Sequence, residues 1–365
     1  MKSGVMKRLP LHDLHISARA HLGAFGDWEV PLYFSTILEE HEAVRRRAGL
    51  FDISHMGEFL VTGKDAPSFL DYLLPRRMDR LKDGRALYAP LLNEAGGMVD
   101  DLIVYRLQPE QFLIIVNAAN IEKDFEWMRH YLPAGVRLEN ISEAKGLFAL
   151  QGPRSIGIAE RVFRCDFQGL RYYHCLDLKS DWGGLFISRT GYTGEDGLEI
   201  LVDTDASSSL WKALMAAGEP HGLIPGGFGA RDTLRLEAGM LLYGQDMDDT
   251  TSAVESGLLW AVDFDKPNFI GRERNVREKE SGPKRRLAGF EMIERGIARH
   301  GFAIEKRGRV LGPVTSGGFA PTLQKNIGLG YVPAEESAIG NEIEIMIRDQ
   351  RVKAKIVKLP FYKRP

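Results

Sequence analysis

The sequence is poor in cysteine, in excess charge and in long apolar runs. Its 365 residues include only two cysteines, Cys165 and Cys175, and the formal net charge is −2. Two thiols are too few for a disulfide framework or for a cysteine-based four-ligand zinc site. A net charge of −2 excludes the general positive field that attracts nucleic acid. No apolar segment approaches the roughly 20 residues that a membrane span requires. We therefore expect a reduced globular protein with no nucleic-acid or membrane partner.

The N-terminal segment carries no recognisable export signal. Residues 1–15 begin with basic side chains but lack the apolar stretch of a signal peptide. We expect a cytoplasmic protein, or one in an organelle matrix after removal of a preceding segment. Hydrophobic residues make up 44% of the sequence and charged residues 27%, as in ordinary globular proteins. A chain of this length exceeds one compact core, so two or three domains are expected.

Hydrophobic periodicity predicts two α+β halves, each with antiparallel strands and helices on one face of the sheet. The turn-rich residues 94–97 predict a hairpin between two strands of the first half. The predicted helices of both halves are 36–47, 66–74, 121–131, 155–162 and 207–217. The predicted strands are 58–63, 87–93, 99–107, 112–118, 147–152, 176–178, 185–191 and 198–203.

The C-terminal part shows a different pattern. Residues 272–286 are almost wholly polar, and we interpret them as a helix end followed by a linker. From Leu287 onward, short apolar segments alternate with turns rich in glycine and proline. Short strands at regular spacing are typical of small barrels and sandwiches, so a separate β-domain is expected here.

Two glycine-rich segments carry the strongest functional signals: 188–200 (SRTGYTGEDGLEI) and 229–246 (GARDTLRLEAGMLLYGQD). Glycine is favoured where the backbone turns sharply or approaches a ligand closely, and Arg and Glu beside such turns indicate polar recognition. In the second segment Leu234, Leu236 and Met240 form a helical apolar stripe. For either segment alone, a tight hairpin followed by a buried helix with a satisfied Arg–Asp pair remains the alternative.

Two acids interrupt an otherwise apolar predicted strand, VDDLIVY. Successive side chains of a strand point to opposite faces, so one of Asp100 and Asp101 can enter a cavity while the other faces away. A carboxylate within a strand is unfavourable without a role or a partner. From the residues alone, a functional acid and an acid that merely flanks a turn remain equally open.

In chain order, these segments resemble the T proteins of the glycine cleavage system, which are tetrahydrofolate-dependent aminomethyltransferases. The resemblance runs from about Leu22 to the C-terminus. It implies a three-domain cloverleaf of two α+β domains with antiparallel sheets and a C-terminal small β-barrel, around a central folate channel. The implied domains are 1–50 with 140–245, 51–139 with 246–275, and the barrel at 284–365. The other segments that carry it are FDISHMGEFLVTG (51–63), GMVDDLIVYR (97–106), VNAAN (116–120), ALQGP (149–153) and GPVTSGGFAPTL (312–323).

The resemblance implies a reaction and its residues. An aminomethyl group on the lipoyl arm of the partner H protein would release ammonia and pass its methylene to tetrahydrofolate, giving 5,10-methylenetetrahydrofolate, with no metal. Asp101 matches the catalytic acid, which would stabilise a cationic methylene-iminium, orient the folate nitrogen or move a proton. Glu199 matches the acid that accepts paired hydrogen bonds from the pterin, and Arg231 a folate-contacting arginine. Further implied folate contacts are Met56, Tyr88, Tyr105, Asn117, Tyr192, Tyr362 and Lys363.

Two other functions fit a folate pocket: a tetrahydrofolate-dependent demethylase using a small methyl donor, and a non-catalytic folate-binding protein. The intact glycine-rich segments favour the glycine-cleavage branch over the demethylases. Neither cysteine lies in the motif of the iron–sulfur assembly relatives, and Asp101 is retained, which disfavours the non-catalytic function. We interpret Glu195, on the turn, and His55, beside a strand, as structural residues.

Overall fold

The computed structural model describes residues 6–364, so the first five residues of the basic N-terminal segment, and Pro365, lie outside the described part. The helices are α1 (His12–Ser17), α2 (Ile37–Arg46), α3 (Ala66–Leu73), α4 (Ile121–His130), α5 (Ser155–Phe163), α6 (Thr204–Gly218), α7 (Phe228–Glu237) and α8 (Arg272–Ser281). The strands are β1 (Lys7–Arg8), β2 (His21–Phe25), β3 (Trp28–Tyr33), β4 (Ala48–Asp52), β5 (Gly57–Thr62), β6 (Arg85–Leu92), β7 (Met98–Gln108), β8 (Gln111–Val116), β9 (Arg137–Asn140), β10 (Lys145–Gln151), β11 (Cys175–Ser180), β12 (Gly183–Ser188), β13 (Gly197–Asp203), β14 (Leu223–Gly226), β15 (Arg285–Met292), β16 (Ala303–Lys306), β17 (Arg309–Ala320), β18 (Lys325–Pro333), β19 (Glu342–Ile347) and β20 (Gln350–Val357).

The largest sheet has six strands in the order β11-β12-β13-β10-β4-β14. Its central strands alternate apolar residues into a core that helices α5 and α6 cover. Trp211 of α6 packs edge-on against Phe148 of β10, with ring centroids 5.3 Å apart. The amphipathic α6 thus closes one face of the sheet, as its apolar periodicity requires.

A five-stranded sheet follows the order β6-β7-β8-β5-β9, with β7 antiparallel to β8 and β5 antiparallel to both β8 and β9. The predicted hairpin at 94–97 joins β6 to β7, and Gly96 there has a φ of +82°, which glycine adopts freely. Along β7, Asp100 is completely buried whereas Asp101 is only half-buried. The predicted alternation of the two acids is therefore confirmed.

The C-terminal strands form a closed barrel in the order β15-β18-β17-β16-β19-β20. Its interior is filled by fully buried apolar side chains, among them Phe290, Ile304 and Ile345. Small barrels are filled by alternate inward-facing residues, which is the pattern of these strands. The α+β class with a small C-terminal barrel is therefore confirmed.

The described residues divide into two compact units. One contains the residues up to Phe69 together with Asp79–Leu87 and Leu102–Asp232; the other contains Leu70–Met78, Tyr88–Asp101 and the residues from Thr233 onward. The six-stranded sheet belongs to the first unit and the barrel to the second. The three-domain boundaries expected from the resemblance remain a prediction. Within residues 6–364, no helix combines the length and the apolar character that crossing a membrane requires.

Several local expectations need correction. The sheets are not purely antiparallel, because β14 pairs with β4 in parallel. Met240 does not continue the apolar stripe of α7, because the helix ends at Glu237 and Gly239 adopts a φ of +65°. Residues 272–281 form a complete helix, α8, and not only a helix end. Asn275 of α8 donates to the Gly96 carbonyl and accepts from the Ala253 N–H, so polar contacts replace the missing apolar face.

Candidate active site

The Glu199 carboxylate lies beside a cluster of three hydroxyl groups, two of which contact it directly. Strands β12 and β13 are antiparallel with Ser188 directly opposite Glu199. Opposed residues share one face of a sheet, and Thr190, two residues beyond Ser188, continues on that side. Tyr105 of β7 completes the cluster, with its hydroxyl 3.2 Å from Thr190 Oγ1. The hairpin register therefore determines which hydroxyls surround the acid.

Two of the three hydroxyl groups lie within hydrogen-bond distance of the same oxygen of Glu199. Thr190 Oγ1 donates to Glu199 Oε2 at 2.5 Å, and the Tyr105 hydroxyl lies 3.5 Å from the same oxygen. Ser188 Oγ lies 2.7 Å from Thr190 Oγ1 and donates to the Tyr105 hydroxyl at 3.3 Å. Among residues 6–364, no group donates to Glu199 Oε1. The carboxylate is thus oriented through one oxygen and keeps the other as an acceptor, which fits an N–H donor of a pterin.

Tyr105 is suited to donate within this cluster. It is 1% exposed, and its ring packs edge-on against Phe186 with centroids 4.9 Å apart. Burial, and next the charge of Glu199, raise the pKa of Tyr105 well above its ordinary value. The phenol therefore keeps its proton and acts as a donor to the carboxylate side.

Arg231 and Tyr192 form the second part of the site. The Arg231 guanidinium carbon lies 4.7 Å from the centroid of the Tyr192 ring, which is cation–π geometry. Desolvation lowers the pKa of Arg231 from its usual value, and Tyr192 and Glu199 oppose that shift. Both side chains are half-buried, so a planar guanidinium and an aromatic face are held together where a ligand can reach them.

The loop between β12 and β13 is anchored at several points. Arg45 of α2 donates to the Thr193 carbonyl at 2.7 Å and to Glu195 Oε1 at 2.9 Å. Arg189 forms a two-pronged ion pair with Asp196 across the loop. The structural interpretation of Glu195 agrees with these contacts, because the glutamate binds Arg45 within the fold. These contacts hold the loop in place before a ligand arrives. Tyr192 therefore loses little conformational entropy when a ligand binds.

His55 lines a small cavity together with Asp52, Phe228 and Arg231. The cavity measures about 10 Å³, which has room for roughly one water molecule and none for a pterin. His55 is 4% exposed, and its Nδ1 has no hydrogen-bond partner among the described residues. Burial first, and then the Arg231 charge, lower the pKa of His55 to about 4, although Asp52 opposes the shift. His55 is therefore neutral at pH 7 beside a cationic arginine.

Asp101 and Tyr88 belong to the second unit, whereas Glu199 and Arg231 belong to the first. Asp101 lies half-buried on β7 between the buried Asp100 and Leu102. The Tyr88 ring stacks on Trp260 with centroids 5.2 Å apart and planes 24° apart. Trp260 is 61% exposed, so the pair presents an aromatic surface on this unit. The roles predicted for Asp101 and Tyr88 remain predictions.

The remaining expected contacts lie at the ends of elements. Met56 ends a turn, and its N–H donates to the Ile53 carbonyl. Asn117 comes directly after β8, and its carbonyl accepts from the Asn120 N–H. In the C-terminal segment, the Tyr362 N–H donates to the Glu237 carbonyl at 2.7 Å, whereas Lys363 is exposed. The folate contacts expected of these four residues remain predictions.

The structure brings together four of the residues that the sequence singled out. Tyr105 lies beside Glu199, and Tyr192 faces Arg231, in each case by a direct interaction. The charge of Glu199 also acts on Arg231, which couples the two pairs. An acceptor, a donor and an aromatic face thus belong to one region of the first unit.

Sequence reasoning missed three polar residues of this region: Thr190, Ser188 and Gln151. The period-two spacing of Ser188 and Thr190, facing an acid one strand away, was an available signal. Gln151 is completely buried within the segment ALQGP, and a buried amide next to glycines usually has backbone partners. Among residues 6–364, no cluster of three or more His, Cys, Asp or Glu side chains has the arrangement of a metal site.

Known families match both parts of the chain. A family model described as "GCVT N-terminal domain" matches residues 11–266, and one described as "Glycine cleavage T-protein C-terminal barrel domain" matches residues 285–363. Proteins named aminomethyltransferase are similar over the full length. That of Desulforamulus reducens is 45% identical, covering 98% of this chain and 99% of the relative. That of Bacillus velezensis is 46% identical, covering 99% of each.

A solved structure extends the similarity to three dimensions. The crystal structure of glycine cleavage system aminomethyltransferase T from Bartonella henselae matches with a TM-score of 0.93 and 34% sequence identity. The match covers 98% of this chain and 99% of that one. The whole fold is therefore shared, from the N-terminal strands to the barrel.

Proposed function

The chain belongs to the glycine cleavage T-protein family of aminomethyltransferases, and from that membership we propose its substrates, partner and site residues. It takes the aminomethyl group from the lipoyl arm of an H protein in the cytoplasm, releases ammonia and transfers the methylene carbon to tetrahydrofolate. The observation that carries this proposal is the Glu199 carboxylate, which is oriented through Oε2 while Oε1 accepts no hydrogen bond from residues 6–364.

Glu199 and Arg231 recognise the folate in this proposal. The free oxygen of Glu199 accepts from the pterin, and a charge-assisted hydrogen bond of this kind is stronger than a neutral one. Arg231, held against the Tyr192 ring, offers donors to a carbonyl or carboxylate of the ligand. Tyr105 and Thr190 keep their protons on the Oε2 side, so the acceptor side of the acid remains available.

Asp101 is the proposed catalytic residue. When bound, tetrahydrofolate supplies the nitrogen nucleophile. A half-buried carboxylate at Asp101 stabilises the positive charge that develops on the aminomethyl carbon as the carbon–sulfur bond breaks. The same carboxylate can hold the proton that leaves with the ammonia. Met56, Tyr88, Asn117, Tyr362 and Lys363 are proposed as further folate contacts by their match to the family.

The three-domain division is part of the proposal. The two family models leave residues 267–284 unmatched, which supports a boundary before a barrel that begins near residue 284. The boundaries 1–50 with 140–245 and 51–139 with 246–275 divide the preceding part. Limited proteolysis between α8 and β15 tests the last boundary, since a separate barrel would be released intact.

The reaction is tested with aminomethylated lipoyl H protein and tetrahydrofolate, following methylenetetrahydrofolate and ammonia. We expect Asp101→Ala to lower kcat by roughly 10²–10³-fold, because an electrostatic stabiliser of the transition state is lost. Its Kd for tetrahydrofolate should change less than about threefold. Glu199→Gln should instead raise that Kd by roughly 10–100-fold, since a charge-assisted bond contributes about 1.5–3 kcal/mol.

The outcome separates the candidate functions. Folate-dependent release of both products supports the aminomethyltransferase reaction with H protein. Tight folate binding with no turnover on H protein would contradict it and favour a demethylase with a small methyl donor or a non-catalytic folate-binding protein. An unchanged kcat in Asp101→Ala would remove this residue from the mechanism.

A further inference from the structure

Gln151 is a buried amide at the base of the loop between β12 and β13. It is the last residue of β10 and has 0% exposure. Its Nε2 donates to the Thr190 carbonyl at 3.1 Å and lies 3.5 Å from the Leu198 carbonyl. Its Oε1 accepts from Thr193 Oγ1 at 2.9 Å. The amide therefore binds both arms of the loop through all of its polar atoms.

Gly191 of the loop and Gly197, the first residue of β13, pack closely around this amide. A Cβ atom at Gly191 would lie 2.0 Å from Gln151 Oε1, and one at Gly197 would lie 2.5 Å from Gln151 Nε2. Real Cβ atoms do not approach other atoms that closely, so neither position accepts a side chain while Gln151 keeps its place. Neither glycine has a positive φ. Close packing against the amide, and not backbone conformation, accounts for glycine at position 191.

The residues that Gln151 holds are neighbours of the ligand-facing side chains. Thr190, whose carbonyl accepts from Gln151, donates through its hydroxyl to Glu199 Oε2. Thr193, whose hydroxyl donates to Gln151, directly follows Tyr192, whose ring faces the Arg231 guanidinium. Gln151 touches neither Tyr192 nor Glu199 by a hydrogen bond and is closed to solvent. Its influence on a ligand therefore passes through the loop.

We propose that Gln151 is a positioning residue that sets the affinity for tetrahydrofolate by fixing the Thr190–Thr193 loop, and with it Glu199 and Tyr192. This rests on the proposed function, since it concerns the same site. The outer side of the loop is tied by Arg45 to Thr193 and Glu195. Loss of Gln151 therefore loosens the loop from the inside without releasing it entirely.

The most informative variant is Gln151→Glu. An ionised glutamate cannot donate to the Thr190 carbonyl and is repelled by it, whereas a protonated glutamate has one O–H donor. Burial among carbonyl groups raises the pKa of a carboxyl, so protonation occurs within the working range of pH. We expect a Kd roughly tenfold above that of the wild type near pH 8, approaching the wild-type value near pH 6. A merely structural role for residue 151 would not give this recovery.

Gln151→Met is the companion variant, because it keeps the length of the side chain and has no strong hydrogen-bonding group. Its Kd for tetrahydrofolate should rise roughly tenfold at every pH. In turnover assays, KM for tetrahydrofolate should rise in parallel while kcat at saturation stays within about twofold. Gln168→Met is the matched control, since Gln168 is exposed and lies in a different loop. Binding is measured on the full chain by calorimetry with tetrahydrofolate, and folding by circular dichroism.

The outcomes distinguish the inference from the function on which it rests. If the wild type does not bind tetrahydrofolate, the proposed function is wrong irrespective of Gln151. If the wild type binds and folded Gln151→Met binds within about twofold of it, the inference is overturned. Should Gln151→Met not fold, the ratio of Gln151→Glu to wild-type Kd decides alone: recovery at low pH supports the inference, and a constant ratio contradicts it.

Discussion

Two buried polar clusters of this protein differ in how completely their hydrogen-bonding capacity is used. In the first, Thr190 and Tyr105 contact Glu199 Oε2 and Ser188 supports them, but Oε1 has no donor from residues 6–364. In the second, Arg235 of α7 pairs with Asp246 at 2.7 Å, and both side chains are almost completely buried. Both clusters contain a carboxylate and hydroxyl groups, but only in the second do both carboxylate oxygens accept hydrogen bonds from the described part of the protein.

The second cluster satisfies both carboxylate oxygens of Asp246. Asp246 Oδ1 accepts from Thr315 Oγ1 at 2.6 Å, and Oδ2 accepts from Arg235 and from the Leu242 N–H. The Tyr331 hydroxyl donates to the Asp246 carbonyl at 2.8 Å. A buried ion pair is tolerated when additional hydrogen bonds satisfy its remaining atoms. A complete cluster can only hold the fold together, whereas an incomplete one can also recognise a ligand.

The largest expected effect tests the complete cluster. Asp246→Ala leaves the Arg235 charge buried without its partner, which should lower the free energy of unfolding by about 3–5 kcal/mol. Denaturant unfolding of the full chain measures this, with the exposed Asp249→Ala as control. The Kd of the folded fraction for tetrahydrofolate should not change. If the free energy of unfolding falls by less than about 1 kcal/mol, or if only the Kd for tetrahydrofolate changes, the proposed difference between the two clusters is wrong.

His55 gives the next effect, since it is a buried base that lines the same small cavity as Arg231. Its pKa is about 4 in the fold and returns to the ordinary 6.5 when the chain unfolds, so between these values the unfolded chain binds more protons. The contribution is fully present above pH 6.5 and is lost as the pH falls toward 4, by about 3 kcal/mol. His55→Gln should remove this part of the pH dependence of unfolding, whereas exposed His130→Gln should not. Equal slopes in wild type and His55→Gln would show that His55 is not held neutral.

The smallest expected effect concerns the orientation of Glu199. Thr190→Val keeps the shape of the side chain but removes the donor to Oε2, so the Kd for tetrahydrofolate should rise roughly tenfold. Thr190→Ser retains the hydroxyl and should restore most of the affinity. Calorimetric titration of both variants measures the difference. If valine and serine bind equally well, the acid does not depend on its hydroxyl partners.

The sequence predicts those parts of the fold that depend on local pattern. The helices at 37–46 and 121–130, and the short strands of the C-terminal β-domain, follow from periodicity and turn residues. The different burial of Asp100 and Asp101 follows from the alternation of a strand, although the sequence alone does not show which of the two is buried. The conjunction of Tyr192, Glu199 and Arg231 follows from family resemblance, and the structure adds the hydroxyl cluster that orients Glu199.

The rest depends on contacts between distant segments. Gly49 comes after a helical pattern, so the local sequence indicates only that a helix ends there. In the structure Gly49 lies within β4, which pairs with β14 and β10, both distant in the chain. Helix α8 lacks an apolar stripe, and Arg274 instead binds Glu255, nineteen residues before it in the chain. The role of Thr190 depends on a register that places it near Glu199. None of these partners can be identified from a local window of sequence.

The packing of Gln151 against the loop also constrains how this family can diverge. The three atoms nearest to a Cβ position at Gly191 all belong to Gln151, whereas Gly197 also faces the Leu150 carbonyl at 2.5 Å. Across relatives, positions 151 and 191 should therefore vary together, with larger residues at 191 only where a shorter one replaces the glutamine. Position 197 should stay glycine in either case, because a backbone atom cannot be exchanged by mutation.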